Sequence, residues 1–213
     1  MSRVVVLCTD PLHPVNAWLE PWAERARARG HHVDILRDRG DLTDGDFLFL
    51  VSCHQIIRKT ERDGFRHTLV LHASDLPRGR GMSPHIWPVV EGGDELVLSL
   101  LNAEDALDSG DIWAQRRIPL DGTELFDDIN RRLFEAEIEL MDWALENCDR
   151  VEPRQQSGEA SFFRKRTPED SRIDPDASIL SQFNLLRVAD PDRYPAFFDH
   201  QGQRYRIRLE KMG

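Results

Sequence analysis

The chain has 213 residues, 40% of them hydrophobic, and its 28 Lys and Arg stand against 38 Asp and Glu, a formal net charge of −10. That balance argues against a protein that coats nucleic acid and against an anionic membrane surface as a partner. The length allows one full domain plus an appendage, with a core large enough to need no covalent staples.

The first apolar run, Val4 to Cys8, is closed by Thr9-Asp10 and is too short for the core of a signal peptide. No stretch approaches the ~20 apolar residues that span a bilayer. A soluble, cytoplasmic protein is expected. Cys8, Cys53 and Cys148 are odd in number and far apart, which fits reduced thiols rather than a disulfide framework or a paired-cysteine metal site.

Asn16 is placed to cap a helix that carries Leu19, Trp22, Ala23 and Ala26 at helical spacing and stops at Gly30. A short strand is expected within His31 to Leu36. Phe47 to Val51, Thr68 to Leu71 and Leu96 to Leu101 are, like Val4 to Cys8, continuous rather than alternating apolar runs. Strands of that kind are buried on both faces, as in a parallel sheet covered by helices, so the fold class is open α/β. A long helix is predicted from a Thr123 cap to about Leu145, with Leu125, Ile129, Leu133, Ala136, Leu140 and Ala144 on its inner stripe. Glu152 to Gly158 is polar and reads as a link to a tail. There Tyr194 to Phe198 and Tyr205 to Glu210 flank His200 to Gln203 as a hairpin. The chain thus divides into residues 1–150 and an extension over 151–213.

The loop after the first strand, Thr9 to Pro14, contains no glycine, so a dinucleotide fingerprint is missing there. Walker A, GxSxG and HExxH motifs are absent as well. Two places stand out. His72 ends an apolar strand in Leu71-His72-Ala73-Ser74-Asp75-Leu76-Pro77, at the edge where open α/β sheets place ligands. Asp108 lies in Leu107-Asp108-Ser109-Gly110-Asp111, shortly after the next strand. In a parallel sheet both strand ends would open into one crevice, and a histidine held by a carboxylate is a minimal acid/base apparatus.

At these residues the sequence resembles the formyltransferase superfamily, whose members act on glycinamide ribonucleotide, methionyl-tRNA and nucleotide sugars. The resemblance rests on the His72 segment, on Arg78-Gly79-Arg80-Gly81, on Ser83-Pro84-His85-Ile86-Trp87 and on the Asp108 loop, in that order. It implies an open, mostly parallel Rossmann-like sheet with helices on both faces, and a folate-dependent enzyme that moves the formyl group of N10-formyltetrahydrofolate to a primary amine. His72 would handle the proton and Asp108 would orient it. Ser52, Cys53, His54, Gln55, Ile56 and Ile57 would make one side of the folate pocket. Ala103, Glu104, Asp105, Ala106, Leu107 and Asp108 would read the pterin edge. The family places an Asn two residues before the histidine as an oxyanion donor, and that position is Val70 here. Loss of one such donor costs ~3 kcal/mol in the transition state. Asn16 and Asn102 are the candidate replacements.

The acceptor is read from the tail. Residues 151–213 hold eleven basic and ten acidic side chains, too little net positive charge for the multi-phosphate footprint of tRNA. Phe162 to Ser171, Ile179 to Arg187 and Tyr194 to Phe198 resemble the nucleotide-sugar branch of the family. That resemblance implies a UDP-linked aminosugar, in the nearest case UDP-4-amino-4,6-dideoxy-N-acetyl-altrosamine. Asn16, Arg78, Arg80, Arg164, Arg166 and Arg187 are its candidate contacts, because guanidinium forks pair with phosphate oxygens. Partners would be folate and nucleotide sugar, with no nucleic acid, membrane or metal, and a homodimer is admitted. Two alternatives stay open: a binding protein that lost turnover with the Asn, and a formylating domain acting on a carrier-bound amino acid.

Overall fold

The computed structural model describes residues 1–212. In its first half β1 (Arg3–Leu7), α1 (Asn16–Ala28), β2 (His32–Leu36), β3 (Gly45–Leu50), α2 (Lys59–Arg62) and β4 (Phe65–His72) follow one another. Next come β5 (Arg80–Gly81), α3 (Ile86–Val90), β6 (Glu95–Asn102), β7 (Ile112–Pro119) and α4 (Phe126–Asn147). The tail adds β8 (Phe162–Phe163), α5 (Phe183–Arg187), β9 (Ala196–His200) and β10 (Gln203–Ile207).

Six strands form the central sheet in the order β2-β1-β3-β4-β6-β7. The first four are parallel, so the apolar runs behave as expected: Val4, Val6, Phe47, Phe49, Leu69 and Leu98 pack under α1 and α4, while Val5, Leu7, Leu48 and Leu50 face Ile57 and Phe65 on the other side. An indole bond from Trp22 to Asp142 at 2.8 Å ties α1 to α4. No helix is long and apolar enough to cross a membrane among the described residues.

Four expectations need correction. β6 runs antiparallel to β4, and β7 antiparallel to β6, so the sheet is mixed at that end. β7 itself was not foreseen. α4 begins at Phe126 rather than after a Thr123 cap, because the Asp121 carboxylate takes both the Thr123 N–H at 2.8 Å and its hydroxyl at 2.6 Å. Thr123 stands two residues ahead of the N-cap, Leu125, so its hydroxyl is out of place to accept the first free N–H groups of the helix. Asn16 is not a cap either: it is the first helical residue, and its amide donates to the carbonyls of Asp10, Pro11 and His13 at 2.9–3.1 Å.

The tail lies along the first half instead of trailing from it. Arg154 forms a two-bond bridge with Ile112, and β8 adds to β5 in parallel. The expected hairpin is β9-β10, turned at Gln201-Gly202 with φ of 49° and 76°, as tight hairpins require.

Candidate active site

His72 is the last residue of β4, 6% exposed. Its Nε2 lies 2.9 Å from the carbonyl oxygen of Gly79. A carbonyl only accepts, so Nε2 carries the hydrogen and the Nδ1 lone pair is left to face Asp108 Oδ2 at 3.6 Å. That gap exceeds a hydrogen bond but suits attraction to an imidazolium. The other oxygen-to-backbone contact of the couple is short: Asp108 Oδ2 accepts the Gly81 N–H at 2.9 Å.

The route by which Asp108 arrives differs from the sequence argument. Register sets His72 opposite Ser99 and Leu69 opposite Asn102, so β6 leaves the sheet three residues short of the end of β4. Ala103 still donates to Thr68 at 2.8 Å, and residues 103–111 then double back to the crevice. Gly110 makes the return feasible, since a Cβ there would lie 2.0 Å from the Asn102 carbonyl oxygen. Asp108 itself sits in the left-handed region at φ 50°. Strain at a non-glycine residue costs ~1–3 kcal/mol and persists only where surroundings enforce it.

The glycine turn is matched to the tail. A Cβ on Gly79 would meet the Phe163 ring at 2.4 Å, and one on Gly81 would meet the Phe163 carbonyl oxygen at 2.4 Å. Gly79 also donates to Ser161 Oγ at 2.9 Å. The segment holding both partners of the imidazole is therefore fixed from the tail side.

On the opposite flank, Cys53, Val70 and Ala103 are partly buried against the cluster of Leu50 and Ile57. Ser52 lies at φ 47°, with its hydroxyl 3.2 Å from His13 Nε2. The His54 N–H donates to Thr9 Oγ1 at 2.9 Å, and Gln55 is tied to Asp38 and to the Arg39 N–H at 2.8 Å each. Ile56 is exposed. In the facing loop Glu104, Asp105, Ala106 and Leu107 are exposed, and their N–H groups find no acceptor among the described residues. Asp105 pairs with Arg62 at 2.7 Å.

The candidate arginines separate into two sets. Arg78 pairs with Asp75 at 2.8 Å and Arg164 forks onto Asp170. Arg187 is turned inward, 2% exposed, on an equally buried Glu124. Those three charges are already neutralised. Arg80 Nη2 bonds the Gln156 oxygen at 2.6 Å, and its buried Nε has no partner. Arg166 is buried with only neutral acceptors, the Ser171 hydroxyl at 3.0 Å and the Val188 carbonyl at 3.5 Å. Asn16 accepts from Arg37 and is fully occupied by its own chain. Asn102 accepts from the Trp113 indole at 2.8 Å, on the face that carries the α4 core. Neither amide stands at Val70, which packs against Leu76, Leu101 and Ile112.

Three more buried or half-buried titratable residues lie near this edge, and of them the sequence singled out only His85, as part of a motif and without a role. Burial, with Arg193 nearby, pushes His13 down to about 4, and burial beside His13 and Arg166 pushes His85 down to about 3, so both imidazoles stay neutral. Glu137 on α4 is 5% exposed, its Oε2 unpartnered, and burial pushes it up to about 8.

The comparisons bear on this arrangement. The family described as formyl transferase matches residues 13–145. Methionyl-tRNA formyltransferase of Thermus thermophilus is 32% identical over 143 residues, 66% of this chain and 46% of the relative. The chain thus spans about half the length of the curated relatives it matches. Among solved structures, methionyl-tRNA formyltransferase from Clostridium thermocellum superposes with a TM-score of 0.83 at 23% identity, covering 100% of this chain and 94% of that one. HypX from Aquifex aeolicus in complex with tetrahydrofolic acid gives 0.83 at 20% identity, covering 98% and 37%. A sugar N-formyltransferase from a Shewanella species gives 0.76 at 13% identity, covering 100% and 98%.

Proposed function

Because this chain belongs to the formyl transferase family, we propose that it moves a formyl group from N10-formyltetrahydrofolate to the primary amine of a nucleotide-linked aminosugar, with a UDP-linked 4-amino-4,6-dideoxy sugar as the first candidate. The observation that carries this reading is the buried His72, whose tautomer is fixed by Gly79 and whose free nitrogen faces Asp108.

The residues fit a folate donor. Cys53, Val70 and Ala103 offer an apolar wall to a flat ring, and the unpaired N–H groups of 104–107 offer donors to a polar ring edge. When bound, the donor supplies a formyl carbon open to attack by an amine. Nδ1 of His72 would take a proton from the attacking nitrogen and return it to N10 as the bond between N10 and the formyl carbon breaks, with Asp108 stabilising the imidazolium in between. With Val70 giving no hydrogen, the protonated ring would be left to stabilise the charge that develops on the formyl oxygen.

On the acceptor side, residues 151–213 act in this reading as a substrate-side extension. Of the candidate arginines, Arg166 and Arg80 are the two not already held by carboxylates, so they are the ones left for a diphosphate. The HypX structure with tetrahydrofolic acid and the sugar N-formyltransferase neighbour support donor and acceptor class respectively.

The test is incubation with 10-formyltetrahydrofolate and a panel of UDP- and dTDP-aminosugars, methionyl-tRNA and carrier-bound amino acids, following tetrahydrofolate release. Turnover with a free nucleotide sugar is expected. Turnover with methionyl-tRNA or a carrier-bound amino acid alone moves the acceptor, and folate binding without turnover removes the enzymatic reading.

A further inference from the structure

Resting on the reading just given, we infer that Gln156, in the polar stretch after α4, is a positioning residue that holds the Asp108 loop in its working conformation. Its side-chain nitrogen donates to two carbonyls of that loop, Asp108 at 2.8 Å and Gly110 at 2.9 Å. Its oxygen accepts from Arg80 Nη2 at 2.6 Å. One planar amide thus uses both hydrogens on the loop and its acceptor on the glycine turn, the two segments that contact the imidazole.

The loop needs such a clamp. It leaves β6 in the wrong direction, returns to the crevice over residues 103–111, and keeps Asp108 at φ 50°. Apart from the Gly81 N–H and the imidazole, the Asp108 carboxylate has no partner among the described residues. Few bonds inside the loop oppose relaxation: Ser109 Oγ donates to the Ala106 carbonyl at 2.8 Å, and the N–H groups of 104–107 are unpaired. Release of the two Gln156 bonds leaves the left-handed residue free to revert, which moves its carboxylate away from Nδ1. A displacement of about 1 Å in a catalytic group costs about a hundredfold in rate.

The amide's two halves make the test. Gln156→Glu keeps length and the acceptor for Arg80 but sets an oxygen against two carbonyls; Gln156→Ala removes both halves. If Gln156 positions Asp108, both variants lower kcat tenfold to a hundredfold. Combination of Gln156→Ala with Asp108→Asn then falls no more than about twofold below Asp108→Asn alone, because both act through one group. Hydrogen exchange at Asn102 and Ala103, whose N–H groups bond the Asp111 and Thr68 carbonyls at the base of the loop, quickens about tenfold in both single variants while the rest of β6 and β7 keep their protection. A Gln156→Glu protein with wild-type kcat shows that the residue merely anchors the tail through Arg80 and overturns the inference. So does a multiplicative double mutant, or unchanged exchange at Asn102 and Ala103. If the wild type transfers no formyl group to any amine, the preceding reading fails and the exchange measurement alone decides the clamp.

Discussion

Residues 1–150 and the tail are held by different forces. In the first half, Trp22, Phe47, Phe49, Leu69 and Leu98 are fully buried in a continuous apolar core, and charged side chains stay outside it with few exceptions. The tail's own apolar cluster centres on Ile173, Leu186 and Ala196. Val188 reaches into the main core, but most of the tail's attachment is polar: Arg187 on Glu124, Arg193 on Asp10, Gln156 on the Asp108 loop, the Arg166 N–H on Ser83. Apolar burial is non-directional and tolerates drift, whereas a hydrogen bond fixes distance and angle. The half that supplies bulk stability therefore differs from the half that sets the crevice geometry.

That contrast can be broken at measurable points. Phe49→Ala removes a ring stacked on Phe47 at 5.7 Å and edge-on to Trp22 at 6.3 Å, and should cost ~4 kcal/mol in urea unfolding, lost by both halves together. Arg187→Ala strips a buried carboxylate of one partner and leaves Arg132 at 2.6 Å as the other. It should cost ~3 kcal/mol, with proteolysis opening the tail before the sheet. A loss confined to the sheet would refute the division.

Glu137 is the exception inside the apolar half, and it sharpens the comparison through pH. Its folded value of about 8 lies above the ordinary carboxyl range, so the folded protein holds a proton that the unfolded chain releases. Its burial carries no ionisation penalty below about pH 4.5, and that penalty grows as pH climbs to about 8. Glu137→Met should stabilise by roughly 2–4 kcal/mol at pH 8 and by far less at pH 4.5, read from thermal melts at the two values. His13 acts on the other side: its depressed value of about 4 means that stability present above about pH 6.5 is lost as pH falls toward 4. The smallest effect belongs to Arg164→Ala, whose exposed fork with Asp170 should leave the urea midpoint unchanged within error.

What could be read in advance follows the same divide. β1, β3, β4 and β6 announced themselves because burial on both faces leaves no polar alternation. β7 did not, since it is the sheet's edge strand and Gln115, Arg116 and Arg117 interrupt its apolar character. His72 and Asp108 stood out at the ends of apolar runs and took their roles from a resemblance, yet the reason that they meet is a returning loop and Gly110, not parallel strand ends. Gln156 was invisible because a polar stretch looks alike whether its amides bond water or backbone carbonyls. Glu137 had a usable signal: at helical spacing it falls between Leu133 and Leu140 on the inner face of α4. The arginines show the limit most clearly, since composition counts a guanidinium without telling whether a carboxylate already holds it.

The most direct test is single-turnover formyl transfer by His72→Ala and Asp108→Ala beside the wild type, with the same donor and a nucleotide aminosugar. Both variants should fold, bind the donor, and lose at least a thousandfold of the rate, about 4 kcal/mol of transition-state stabilisation. Near-wild-type transfer by either variant would contradict the assignment of the proton to this imidazole and carboxylate.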